Sequence, residues 1–350
     1  MLKKTAKYAI ISKKGEEAMI LFGSKKNFYK ANMHCHTTLS DGKKTPAEIK
    51  EAYKAEGYSV VAFTDHEHVI AHPELCDEDF IAITGCEHAV KEFPTVSTGT
   101  NLYMKVAHFN FYAKELDNVL TPCYSSVADH YVTAENEGLI KADGDEVRIY
   151  SPEYINAMIK KAHDMGFLVA YNHPGWSLET AFDYMAYEGL DFVEIYNNGS
   201  ELAGYPDDER VFFDMLLGGK RLYCTAADDN HNSRGIDPKG SDSFGGFIMI
   251  NADKLDYAHI ISALENGDFY ASTGARITSI KREGRTVTVS APNAKKITVS
   301  SAKRFFKSVK QDGDGPLTSA TFTLPDEKCG FRITVRATDG SRAFSQYYEV

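Results

Sequence analysis

Asn32-Met33-His34-Cys35-His36-Thr37-Thr38-Leu39-Ser40-Asp41-Gly42, then one helical stretch and one apolar run, then Thr64-Asp65-His66: the reading of this chain turns on these residues. In an extended segment successive side chains take opposite faces, so His34 and His36 share a face and Cys35 does not. Two imidazoles converging from one strand end supply half of a divalent metal site. Thr45-Pro46-Ala47-Glu48 is a capping box with proline at the first helical position, and it predicts a helix ending near Gly57. Tyr58-Ser59-Val60-Val61-Ala62-Phe63 then reads as a buried parallel strand with Asp65 and His66 at its end. Ligand-type side chains thus stand at the carboxyl ends of two strands joined by a helix. Open and barrel α/β folds place their chemistry there.

The totals narrow the class. A chain of 350 residues predicts two domains, and 43% hydrophobic with 25% charged residues is the composition of an ordinary globular protein. A net charge of −10 argues against a broad nucleic-acid-binding surface, although bound divalent ions would make a site locally positive. Residues 1–20 carry neither the apolar core of a signal peptide nor a membrane span. The cysteines at 35, 76, 86, 123, 224 and 329 form no Cys-x-x-Cys pair. Reduced thiols in a cytoplasmic enzyme without membrane association are therefore expected.

Downstream, short apolar runs keep ending in or enclosing ligand-type residues. Phe80 to Glu87 is one, and a lone glutamate there would read as a cap or surface group; in step with the other runs it reads as a ligand. Val106 to Tyr112 encloses His108, which spacing alone would assign to the core, while His68 in the preceding loop reads as solvated. Residues 115–150 are irregular and predict an inserted lid or substrate wall. Ser151-Pro152-Glu153 caps a helix to about Gly166, and the strand Phe167 to Tyr171 leads to His173-Pro174. Trp176 either stacks on a substrate ring or packs. Glu194 and Asn197 near the next strand end read as supporting or substrate-facing groups. A helix from Asp207 to Leu217 precedes the run ending Asp228-Asp229-Asn230-His231, and Arg234 and Lys239 follow as cations suited to a phosphate. From Arg276 onward the pattern alternates at period two, with separate strands at 286–290 and 296–300. That predicts a small antiparallel β-sandwich-like domain over 276–350, serving packing or partner contacts.

His34-x-His36-Thr37-x-x-Ser40-Asp41-Gly42 followed by Thr64-Asp65-His66 resembles the first two motifs of the PHP (polymerase and histidinol phosphatase) family of metal-dependent phosphoesterases. Gly85-Cys86-Glu87, His108, His173-Pro174 and Asp229-Asn230-His231 are similar to its later motifs, so the resemblance covers about residues 28–275. It implies an α/β fold, a distorted (β/α)7-type barrel over residues 1–275. It implies that His34, His36, Glu87 and Asp229 hold one ion and that Glu87, His108 and His173 hold a second. Asp41, His66 and His231 would complete a third. Asp65 would orient a ligand. Where Asp228 stands the family often has serine. Two or three divalent ions, zinc, manganese or iron, follow from that donor set. The implied activity is hydrolysis of a phosphate ester by metal-bound hydroxide, with Glu87 and Asp65 as catalytic residues and Arg234 and Trp176 at the substrate. A small phosphorylated molecule or short nucleotide is the expected substrate. Two alternatives stand beside this: metal-dependent hydrolysis of an amide or other non-phosphate bond, and a non-catalytic metal-stabilised interaction module.

Overall fold

In the computed structural model, which describes residues 9–13, 16–96, 101–205, 208–237 and 240–349, the capping box forms as its sequence predicts. The Glu48 N–H donates to Thr45 Oγ1 (3.2 Å) and the Thr45 N–H donates to the Glu48 carboxylate (2.9 Å). Helix Pro46–Ala55 follows and buries Ile49 and Tyr53, the latter against Tyr58 at the start of strand Tyr58–Phe63. Gly57, at φ +78°, makes the turn between them with no Cβ to strain.

The chain divides into two compact units. One is Lys30–Phe247 with Leu255–Ala258; the other is the described part of Met1–Tyr29, Ile248–Lys254 and His259–Val350. In the first unit the end of strand Asn27–Asn32 pairs parallel with Tyr58–Phe63, which pairs parallel with Ile81–Lys91. Val106–Ala113 then runs antiparallel to both Ile81–Lys91 and Phe167–Tyr171. Phe192–Asn197 lies parallel between Phe167–Tyr171 and Tyr223–Ala227. Just past the first and last of these strands, a parallel bridge joins Cys35 to Asn230. The His36 N–H donates to the Asn230 carbonyl (3.1 Å) and the Asp229 N–H to the His34 carbonyl (3.0 Å), so the ligand-bearing segments are themselves laced together.

This is a mixed α/β fold with a large sheet. It departs from a regular strand-helix alternation in two places. Only the three-residue 3-10 turn Pro73–Leu75 lies between the second and third strands, and Val106–Ala113 is antiparallel to its neighbours. An antiparallel partner needs no helical crossover, which is why helices are few here. The insert at 115–150 forms two-residue strands Leu120–Thr121 and Lys141–Ala142. It is pinned by Asn136 Nδ2 donating to the Leu39 carbonyl (2.7 Å) and by His68 Nδ1 against Asp129 Oδ2 (3.0 Å). His68 is therefore fully buried and paired, correcting the solvated reading.

The second unit holds the period-two strands together with Ile248–Lys254 and the stretch from His259 onward, which begin before the expected boundary at 275/276. Glu16–Phe22 pairs with Ser279–Glu283, so a strand from the first thirty residues belongs to the second unit and not to the domain expected over 1–275. The strands expected at 286–290 and 296–300 are one strand, Thr286–Ser300. Its first half pairs with Ser279–Glu283 and Leu317–Thr323, its second with Phe306–Lys310 and Arg332–Ala337. The register shifts between these halves around Pro292, where a residue without an N–H is tolerated. Val287, Val289, Ile297, Val299, Phe322, Ile333 and Val335 face inward and form its core. Among the described residues no helix is long and apolar enough to cross a membrane, and all six cysteines are free.

Candidate metal centre

Glu87 is the pivot. It sits in the middle of strand Ile81–Lys91, whose residues are buried on both faces, and is itself almost fully buried. Its Oε1 lies 3.0 Å from His108 Nδ1, 3.2 Å from His173 Nε2 and 3.2 Å from His34 Nε2. Its Oε2 lies 3.1 Å from His66 Nδ1 and 3.4 Å from His36 Nε2. Asp229 Oδ1 faces both His34 Nε2 (3.2 Å) and His36 Nε2 (3.1 Å). Asp41 Oδ1 lies 3.3 Å from His231 Nε2 and 3.6 Å from His66 Nε2.

These side chains form three groups able to hold an ion: His34, His36, Glu87 and Asp229; Glu87, His108 and His173; and His36, Asp41, His66 and His231. All nine residues expected as ligands are in them, and His36 joins the third group as well as the first. Two of the nine hold a backbone conformation that costs a side-chain-bearing residue about 1 kcal/mol or more: Asp229 at φ +53° and His173 at φ +24°. The surrounding hydrogen bonds hold them in it.

The donors fit a cation for a specific reason. His34 Nδ1 stands 2.8 Å from Glu194 Oε1, which assigns the ring proton to Nδ1 and leaves a lone pair on Nε2. That lone pair faces the carboxylates of Glu87 and Asp229 and the His36 Nε2 at 3.2 Å. Only a proton or a metal ion makes such a convergence favourable. His36 Nδ1, His173 Nδ1 and Asp41 Oδ1 are also buried with no hydrogen-bond partner. Protons take the place in the metal-free electrostatics. Burial lowers the affinity of His34 and His36 for a proton, but Asp229 and Glu87 override it; His34 is held well above its ordinary pKa and His36 is pushed up to about 10. Burial likewise opposes the charge on Glu87 and Asp229, and the surrounding imidazoles hold both well below the usual carboxylate range.

The supporting residues separate cleanly. Glu194 accepts from His34, from the His173 N–H (3.0 Å) and from Asn197 Nδ2 (3.0 Å), and Asn197 also donates to Asp229 Oδ2 (3.2 Å). Both were expected to support or face substrate, and they support. Asp65 accepts from the Thr37 N–H (2.7 Å), Thr37 Oγ1 (2.8 Å) and Ser40 Oγ (2.7 Å). It belongs to none of the three groups and acts by fixing the loop beside His36. Asp228 faces the other way from Asp229. It accepts from the N–H groups of Phe244, Gly245 and Gly246 (2.8–2.9 Å) and from the Tyr53 hydroxyl (2.8 Å).

A cavity of about 460 Å³ opens over the cluster, lined by Asp41, His66, Glu87, His108, His173, Asp229 and His231. Trp176 and Arg234 line it too, and Lys239 falls outside the described residues. Trp176 packs: its ring centroid is 5.1 Å from those of His108 and His173, and it lies on Ala89, Met104 and Val106. Sequence reasoning missed three residues. Asn172 Nδ2 donates to Glu87 Oε1 (2.9 Å); its place beside His173 was the available signal. Tyr131, from the insert, stacks on His66 at 4.7 Å and 20°. Lys91 lines the cavity on the same strand face as Glu87, and its i+4 spacing in a strand could have revealed it.

No family model matches the chain, and no curated protein matches it. Among solved structures it is similar to a two-domain protein from Bacteroides vulgatus ATCC 8482 containing a predicted PHP-like metal-dependent phosphoesterase, at 14% identity and a TM-score of 0.44, covering 98% of each chain. It is also similar to a predicted metal-dependent phosphoesterase from Bifidobacterium adolescentis ATCC 15703, at 16% identity and a TM-score of 0.41, over 67% of this chain and 96% of that one. An amidohydrolase from Chromobacterium violaceum with bound sulfate and no metal is similar at 13% identity and a TM-score of 0.37, over 68% and 96%. Of these, the Bacteroides vulgatus protein is the one described as PHP-like, the family that the motifs of this chain resemble.

Proposed function

We propose that the chain is a metal-dependent phosphoesterase that hydrolyses a phosphate ester at a centre of two or three divalent ions. The observation that carries this is Glu87: one buried carboxylate meets three imidazoles through one oxygen and two through the other, the disposition of a bridging ligand. Divalent ions in such a site supply an activated water and neutralise charge on the phosphoryl and leaving oxygens. The chain's own residues do the rest. Glu194 and Asn197 orient His34 and Asp229, Asp65 holds the His36 loop, and Trp176 and Tyr131 form walls that narrow the approach of water. Arg234, on the cavity wall, would take the phosphoryl oxygens. Zinc, manganese and iron all suit the donors. We also read the seven bridged strands as a distorted barrel of the expected type, and a small phosphorylated molecule as the substrate. The test is the double variant H34A/H36A, assayed on an aryl phosphate with metal content measured alongside. Loss of both turnover and bound metal, with an unchanged circular dichroism spectrum, is expected. Full turnover in the double variant would overturn the reading.

A further inference from the structure

Residues 276–350 carry fourteen Lys and Arg against seven Asp and Glu, in a chain whose net charge is −10. From residue 284 to 311 there are seven cations and no acidic residue. The β-ladder turns this bias into a surface. Lys296 pairs directly with Lys310 on one side and with Arg336 on the other, so three cations stand side by side across three neighbouring strands. Strand spacing of about 4.8 Å sets them within about 10 Å. Lys310 and Arg336 are exposed and Lys296 is half-buried, and among the described residues no ion pair is seen for any of them. The nearest carboxylates in sequence are Asp312 and Asp314 in the turn after Lys310 and Asp339 in the turn after Arg336.

Like charges directly opposite one another destabilise a sheet. Lysines on an edge strand are a common guard against aggregation, which would account for Lys310. It does not account for Lys296 or Arg336, which lie on strands paired on both sides. On the same face the next row is Ser308 opposite Thr298, their hydroxyls 2.9 Å apart, and the row after is Phe306 opposite Ser300. Phe306 is 74% exposed. A row of cations, then hydroxyls, then a bare aromatic ring matches phosphates, riboses or deoxyriboses, and a stacking base.

We infer that this face of the C-terminal strands binds single-stranded nucleic acid through its phosphate backbone, with Phe306 stacking on a base. Chain-wide acidity conceals the patch because the opposing charge lies elsewhere in the sequence. The test uses the full-length protein and fluorescence polarisation with labelled 20-nucleotide oligo-U RNA and oligo-T DNA, over a range of salt. Wild type should bind at low salt. K296Q/K310Q/R336Q should lose at least tenfold in affinity and flatten the log–log salt slope by about 2, as expected for three lost phosphate contacts. F306A should lose about fivefold or more and keep the slope. Comparison of RNA with DNA reads which sugar the hydroxyl row accepts. Thermal melting verifies that the variants fold. Absence of binding at low salt, equal binding by the triple variant, or binding to phosphatidylserine vesicles without binding to either oligonucleotide would each overturn the inference.

Discussion

Replacing Glu194 with glutamine tests whether the cluster is built to receive ions. The carboxylate accepts three donors: His34 Nδ1–H on Oε1 at 2.8 Å, and the His173 N–H and Asn197 Nδ2 on Oε2 at 3.0 Å each. A glutamine has one oxygen for these two positions. With the oxygen toward His34, the amide NH2 meets two N–H donors in a buried site. With the amide flipped, His34 loses its acceptor, its proton moves to Nε2, and the lone pair that faces Glu87 and Asp229 is gone. Either arrangement leaves buried donors unsatisfied, at about 1–3 kcal/mol. Loss of such a supporting partner also typically weakens metal affinity about 10- to 100-fold, or about 1.4–2.7 kcal/mol. The assay is a metal titration against a competing chelator, with thermal melting of the metal-free protein. E194Q should show both deficits, and activity at saturating metal should recover in part. Wild-type metal affinity in E194Q would refute the argument that Glu194 sets the His34 tautomer.

Three other outcomes follow from the site. Because His36 is pushed up to about 10 and His34 is also raised, the metal-free protein carries protons that an incoming ion must expel. Metal affinity should therefore rise with pH between 6 and 8, and calorimetry in buffers of different ionisation enthalpy should register proton release; a pH-independent affinity contradicts this. Asp228 and Asp229 should separate by phenotype: D229N loses metal with little change in melting temperature, whereas D228N, which turns an amide toward four donors, loses about 2–3 kcal/mol in urea unfolding with the ligand set intact. Glu179, buried among the hydroxyls of Tyr150, Tyr171 and Tyr187, has its pKa raised by burial, which outweighs those donors. A raised carboxyl contributes stability that is full below the unfolded value, near 4.5, and is lost as pH climbs through the folded one. E179Q should flatten that decline in a pH series of unfolding measurements, and an unchanged slope would count against the assignment.

Much of the site was legible because its motifs are local. His34 and His36 are two residues apart in extended chain, and the capping box at Thr45 with the apolar run to Phe63 places Asp65 and His66 at the next strand end. Glu87 was legible from its place at the end of an apolar run in step with the others, whereas His108 was not legible from spacing, since a buried strand disguises a ligand as a core residue; the family resemblance pointed to it. Lys91 and Tyr131 escaped notice because one ends a buried strand and the other sits in an irregular insert.

By itself the sequence determined the local elements and the inventory of donors, because caps, turns and apolar periodicity act over a few residues. Tertiary structure decided which donors meet. Asp228 and Asp229 are adjacent in sequence and identical in chemistry, yet with Asp229 in the left-handed region one carboxylate meets the imidazoles and the other the 244–246 loop. It also decided that strand Glu16–Phe22 joins partners more than 250 residues away. Strand pairing depends on edges available across the fold, and no local pattern encodes that choice.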